Sequence, residues 1–278
     1  MEGAGKNRRP FSLHRARAGE CLSEMLDNYD TGYEGKFDFP PRSQAPEHCY
    51  LLASVPRAGS TYFSHALWQT GCLGAPLEYL NFERLGPYGF ANGSSSLQLE
   101  LWHSVLRRRC SQNGVFGLKA FAMQLDQLQR SNPPLLSEVL TTVLPSKKPR
   151  RIVYLRRRDR NAQVVSYARA SLSGVWTKAQ EDKDAAPLTY SQDALDAAER
   201  GIALQETVWG RMFKDLRISP LELWHEDVLA DTDGACKQVA DYVGVAIDRA
   251  ARVEIPPIEK QSVGDAAEWI TRYSQSRR

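Results

Sequence analysis

The stretch Tyr50-Leu51-Leu52-Ala53-Ser54-Val55-Pro56-Arg57-Ala58-Gly59-Ser60-Thr61, running on into Tyr62-Phe63-Ser64-His65-Ala66-Leu67-Trp68, constrains this chain more than any other. An unbroken apolar run followed by Pro, Gly and small hydroxyl residues predicts a buried strand, a tight turn and a helix opening at Ser60 and Thr61. Such a turn aims backbone N–H groups, and the positive end of the helix dipole, at whatever lies above it. Arg57, Ser60 and Thr61 add side-chain donors in the same direction. The turn is therefore suited to an anion. A Walker loop would end in Gly-Lys-Ser/Thr, and no Lys follows Gly59 here, which argues against the β,γ-phosphates of ATP.

Charge is distributed unevenly. Eight basic residues and one acid, Asp159, lie between Lys147 and Arg160, a local net of +7 in a chain of net +3, so the remainder carries −4. One basic focus on an otherwise acidic protein suits a small, highly charged ligand better than a nucleic-acid track. The five cysteines (Cys21, Cys49, Cys72, Cys110, Cys236) are scattered, with no C-x-x-C pair. That pattern fits a reducing cytoplasm and argues against a disulfide framework or a zinc site. The N-terminus has no apolar core, and no apolar run approaches the ~20 residues of a membrane span.

Residues 1–47 are polar and rich in Gly, Pro and Arg, and read as a loosely attached leader with a short helix near 19–27. From His48 onward, short apolar runs alternate with helical stretches. This predicts one domain over 48–278, an α/β fold with a central, mainly parallel sheet flanked by helices. The expected strands are 49–55, 114–118, 151–155 and 221–224. The expected helices are 60–70, 96–109, 135–144, 160–172, 192–216 and 232–243. The polar, turn-rich segment 174–187 is expected to be a lid.

A second charged motif follows the third strand. Arg151-Ile152-Val153-Tyr154-Leu155 runs into Arg156-Arg157-Arg158-Asp159-Arg160, and a helix then carries Gln163 and Ser166. Ligands of parallel sheets bind at the carboxyl ends of the strands, so this cluster is expected on the same rim as the Arg57 turn. Two anion sites on one sheet edge imply a ligand with two separated anionic groups. Taken alone, the cluster also reads as a solvated helix cap or a basic localisation run.

These pieces together resemble the sulfotransferases that use 3′-phosphoadenosine-5′-phosphosulfate (PAPS), and within them the bacterial trehalose 2-sulfotransferase family. The resemblance covers residues 48 to 275. It rests on Ser54 to Thr61, Gly74-Ala75-Pro76-Leu77-Glu78-Tyr79-Leu80-Asn81 and Gly117-Leu118-Lys119. It also rests on Arg157-Arg158-Asp159 with Gln163-Val164-Val165-Ser166, His225-Glu226-Asp227-Val228-Leu229, and Lys260-Gln261-Ser262 ahead of Trp269 and Tyr273. The resemblance implies a P-loop-like three-layer fold and a metal-free transfer of sulfuryl from PAPS to a carbohydrate or glycolipid hydroxyl. It also implies a homodimer.

Position by position, the resemblance makes Arg57, Ala58, Gly59, Ser60 and Thr61 the 5′-phosphosulfate loop. It assigns the 3′-phosphate to Ser166 with Arg157 or Arg158, and closure over the nucleotide to Lys260 and Gln261. Glu78 becomes the general base, with Pro56, Tyr79, Asn81 and Lys119 on the acceptor side; Trp176 joins them from its place in the expected lid. A carboxylate among Leu77, Tyr79 and Leu80 is expected to gain basicity from apolar surroundings. Lys119 has two readings, neutralising the moving sulfuryl or capping a strand end. Trp176 is expected to stack on an adenine or a sugar ring, and His65 and His103 are expected to be structural. The chain departs from the trehalose pattern at Pro56, Ala75 and Leu77, where that family carries polar groups, and this argues against trehalose itself as acceptor. A small-molecule kinase and a non-catalytic nucleotide-binding protein are the competing readings from residues alone.

Overall fold

The computed structural model describes residues 32–84, 86–176, 178–181, 186–258 and 264–277. The helix expected near 19–27, and Lys260 and Gln261, lie outside the described residues.

Four strands form one sheet: β1 (His48–Ser54), β2 (Val115–Phe121), β3 (Ile152–Arg156) and β4 (Leu221–Trp224). All pairs are parallel, in the order β2-β1-β3-β4. Parallel strands covered on both faces read as near-continuous apolar runs, and β1 is of that kind. Its Tyr50 and Leu52 pack on one face with α1 (Ser60–Gln69) and α8 (Thr232–Val243) through Phe63, Leu67, Val239 and Val243. Its Leu51 and Ala53 pack on the other face. That face is covered by α2 (Ser95–Arg108), α3 (Ala122–Ser131), α4 (Pro133–Val143), α5 (Arg160–Ser173), α6 (Gln192–Leu216) and α9 (Ala266–Ser276). The short α7 (His225–Ala230) links β4 to α8. The expected three-layer α/β architecture is therefore present. Among the described residues, no helix is long and apolar enough to cross a membrane.

Strand order fixes where ligands can sit. The chain leaves β1 toward β2 on one side and returns to β3 on the other, which opens a crevice beyond the carboxyl end of β1. The turn after β1 is thus flanked by the ends of β2 and β3, the sources of Lys119 and Arg157.

The expectation of a loosely attached leader does not hold for residues 32–47. Arg109 is buried and donates to the carbonyls of Gly32 (2.9 Å) and Glu34 (3.0 Å) while pairing with Asp38 at 2.8 Å. The amides of Phe39 and Arg42 bond the carbonyls of Arg108 and Arg107. Tyr33 meets Tyr79 and Tyr88 edge-on, with ring centroids 6.3 and 5.3 Å apart. A polar composition concealed this attachment because it is made by one buried arginine and an aromatic cluster, neither of which is periodic.

Candidate active site

The turn between β1 and α1 holds two residues in the left-handed region, Arg57 at φ +62° and Gly59 at φ +77°. Glycine accepts that geometry freely, whereas arginine there is strained by about 1 kcal/mol or more. Neighbouring groups hold it in place. Arg157 Nη1 donates to the Arg57 carbonyl at 3.2 Å, and Gln163 Nε2 donates to the Pro56 carbonyl at 2.9 Å. Arg57 itself donates from Nε to Ser166 Oγ (2.7 Å) and from Nη1 to the Trp176 carbonyl (3.0 Å). Below the turn, Trp209 Nε1 donates to the Ser54 carbonyl at 2.8 Å. Ala58 and Ser60 are buried, and Thr61 is exposed.

The arginine cluster does not act as a unit. Arg156 pairs with Glu222 at 3.5 Å and Arg160 with Glu206 at 3.1 Å. Arg158 is exposed and presents both terminal nitrogens to Asp227 (2.5 and 2.7 Å), while its amide and that of Asp159 bond Glu226. Among the described contacts, Arg157 is the member of this run that bonds the Arg57 turn. Its Nε is buried and bonds no described atom. Burial holds both Arg57 and Arg157 below the ordinary guanidinium range, and the Arg157 charge depresses Arg57 further. Two half-buried guanidinium groups set against each other, with an orphaned N–H, make a site that an anion would stabilise.

A second constellation stands beside the turn. Lys119, 2% exposed on β2, places Nζ 2.8 Å from Glu78 Oε1 and donates to Thr61 Oγ1 at 2.9 Å. Gln124 Nε2 donates to Glu78 Oε2 at 2.9 Å, and the Glu78 amide donates to the Tyr33 hydroxyl at 3.1 Å. The apolar surroundings expected of Glu78 are therefore corrected: its neighbours in sequence turn into the core, and its carboxylate meets an ammonium and an amide. His65, expected to be structural, is buried against Trp68 with ring centroids 5.6 Å apart. Burial first, and then the Lys119 charge, push its imidazole down to about 4.

Other expected acceptor-side residues fall elsewhere. Tyr79 is 0% exposed and its hydroxyl donates to the Ala75 carbonyl, and Pro56 is buried in the turn. Neither reaches the open side of the site. Asn81 accepts from the Glu83 amide at 3.3 Å and shapes the following turn. Trp176 is 43% exposed, with its ring centroid 5.9 Å from that of Tyr167. Gln124 and Tyr33 were missed in the sequence. The only signal for Gln124 was its place three residues past the end of an apolar strand. No group of three His, Cys, Asp or Glu side chains that could hold a metal ion occurs among the described residues.

A donor-rich turn on a parallel sheet, with a carboxylate and a buried ammonium beside it, is an arrangement suited to group transfer. The sequence model described as Stf0 sulphotransferase matches residues 49–276, and the chain belongs to that family. It is 25% identical to the trehalose 2-sulfotransferase of Mycobacterium tuberculosis (strain ATCC 35801 / TMC 107 / Erdman), over 81% of this chain and 93% of that one. It is 22% identical, with the same coverage, to the trehalose 2-sulfotransferase of Mycolicibacterium smegmatis (strain ATCC 700084 / mc(2)155). Among solved structures, a sulfotransferase domain from the curacin biosynthetic pathway is similar, with a TM-score of 0.44 and 16% identity over 84% of this chain and 98% of that one.

Proposed function

We propose that this sulfotransferase moves the sulfuryl group of PAPS to a hydroxyl of a carbohydrate or glycolipid acceptor, with Glu78 as general base. One observation carries the reading. A single buried ammonium, that of Lys119, touches both Thr61 on the anion turn and Glu78. A donor held on the turn and a hydroxyl held by Glu78 are thereby brought within reach of each other, as in-line transfer requires.

The residues fit a donor with two anionic groups, because the buried Arg157 Nε lacks a partner among the described atoms and Arg57 lies next to it. PAPS, when bound, supplies the activated sulfuryl and carries adenosine 3′,5′-bisphosphate as its leaving group. Arg157, with Ser166, holds the 3′-phosphate. Arg57 and the amides from Ala58 to Thr61 stabilise charge growing on the 5′-phosphate. Glu78 takes the acceptor's proton as that oxygen bonds sulfur and the bond from sulfur to the 5′-phosphate oxygen breaks with its electron pair. Lys119 offsets charge on the equatorial oxygens of the moving group. The expected closing role of Lys260 and Gln261 belongs to the same proposal.

The free cysteines at 49, 72, 110 and 236 support a reducing compartment, in keeping with a cytoplasmic enzyme. The test is Glu78→Gln. Turnover from PAPS should fall about 10²- to 10⁴-fold while adenosine 3′,5′-bisphosphate still binds. Wild-type turnover by that variant, on an acceptor the native enzyme uses, would end the assignment.

A further inference from the structure

We infer that Gln124 is a positioning residue for the transfer: it fixes the plane of the Glu78 carboxylate and so decides which lone pair meets the acceptor hydroxyl. The inference rests on the reading of Glu78 as base.

Amide orientation is ordinarily ambiguous, since oxygen and nitrogen look alike. Here chemistry decides it. The Phe121 amide can only donate, and it meets Gln124 Oε1 at 3.0 Å, so Nε2 must face Glu78 Oε2 at 2.9 Å. The side chain is 4% exposed, so water competes little for either bond. Phe121 is the cap of α3, and its N–H is one of the donors that a helix start leaves to side chains. One residue therefore satisfies the helix start and holds the carboxylate.

Lys119 does not do the same work. An ammonium is a compact charge with rotatable donors, so it anchors Oε1 while leaving the carboxylate free to turn about its last bond. A second donor on Oε2 removes that freedom. An ionised carboxylate has about four lone-pair sites, and two are taken by Lys119 and Gln124. The remaining sites have a fixed direction only while both donors are in place. Small misplacements of a reacting group cost up to about a hundredfold in rate, so this restraint belongs to the chemistry as well as to the fold.

The competing role is helix capping alone, and Gln124→Glu separates the two. A carboxylate at 124 still accepts from the Phe121 amide, but it offers no amide donor to Glu78 and adds a like charge. Positioning predicts a fall in kcat of about ten- to a hundredfold across pH 6–9, with the KM for PAPS and the affinity for adenosine 3′,5′-bisphosphate unchanged. The apolar, similar-sized Gln124→Met should show the same kcat loss with a lower Tm. In a Glu78→Gln background, Gln124→Glu should cost no further turnover, because the pair re-forms with its polarity reversed and the base is already gone. Wild-type kcat in Gln124→Glu, or an undiminished loss in the Glu78→Gln background, overturns the inference. Failure of the base reading appears separately, as full turnover by Glu78→Gln alone.

Discussion

Arg157 and Arg158 are adjacent in sequence, and the structure predicts opposite consequences for losing them. Arg158 has both terminal nitrogens on Asp227 and lies over the Trp224 ring at 5.1 Å, so a phosphate would have to displace a carboxylate to reach it. Arg157 donates once to the Arg57 carbonyl and keeps a buried Nε with no described partner. A charge-assisted hydrogen bond contributes about 1.5–3 kcal/mol, so each bond lost with Arg157→Met should weaken ligand binding about ten- to a hundredfold. Arg158→Met should stay within about threefold, since exposed ion pairs contribute little. The measurement is calorimetric titration with adenosine 3′,5′-bisphosphate and, in parallel, with adenosine 5′-monophosphate. Wild type and Arg158→Met should both prefer the bisphosphate strongly. In Arg157→Met that preference should collapse while binding of the monophosphate changes less. The comparison matters because Arg157 also holds the carbonyl of a strained residue, and a loosened turn would weaken both ligands equally. A bisphosphate preference that survives in Arg157→Met, or that collapses in Arg158→Met, would refute the reasoning.

Two further outcomes are expected. Gly59→Ala should disable bisphosphate binding, because φ is +77° and the new Cβ would lie 2.1 Å from His225 Nδ1; adding His225→Ala should recover part of the loss, and no recovery would show that backbone strain alone is responsible. His65 should make the protein acid-sensitive, because its imidazole is held at about 4 when folded against 6.5 when free. The unfolded chain binds the extra proton, so stability is full above pH 6.5 and falls through the window down to about 4, by about 2 kcal/mol at pH 5. Urea unfolding at pH 7.5 and 5.0 should show that slope in the native chain and lose it in His65→Gln.

The sheet and its main helices were legible because buried strands are unbroken apolar runs and the helices are amphipathic, patterns that the residue order carries. β4, α6 and α8 fall at the residues expected, and the other strands and helices expected from residue 48 onward differ from their predicted ends by three residues at most. Among the described residues, three α-helices were not legible. α3 follows β2 without an intervening turn, α7 is six residues long, and α9 buries only Trp269 and Tyr273 on an otherwise polar helix. The anion turn was legible for a different reason, since a strand, a glycine and hydroxyl residues in order have few other uses. What could not be read was pairing across distance. Asp227, Glu222 and Glu206 neutralise arginines that looked like one patch, and they lie 46 to 69 residues away in sequence. Tyr33 and Gln124 approach Glu78 from opposite sides in sequence, 45 and 46 residues away. Side chains brought together by a sheet edge leave no local pattern.

On the proposed function, the segment bearing Glu78 separates acceptor choice from transfer chemistry. Lys119 grips that segment twice, with its amide on the Leu77 carbonyl at 3.1 Å and its ammonium on Glu78. Ala75 is fixed from both sides, its amide donating to the Arg109 carbonyl at 3.1 Å and its own carbonyl accepting from the Tyr79 hydroxyl. Ala75 and Leu77 are core residues, and Pro56 is buried with its carbonyl taken by Gln163. The three positions where the resembling trehalose pattern carries polar groups are thus filled by apolar packing, and polar side chains there would require buried partners. Glu78, the proposed base, owes its place to β2, α3 and Tyr33. These contacts involve none of the Pro56, Ala75 and Leu77 side chains, and Lys119 joins Glu78 to Thr61 beside Arg57. On the proposed function, that division favours a hydroxyl acceptor other than trehalose.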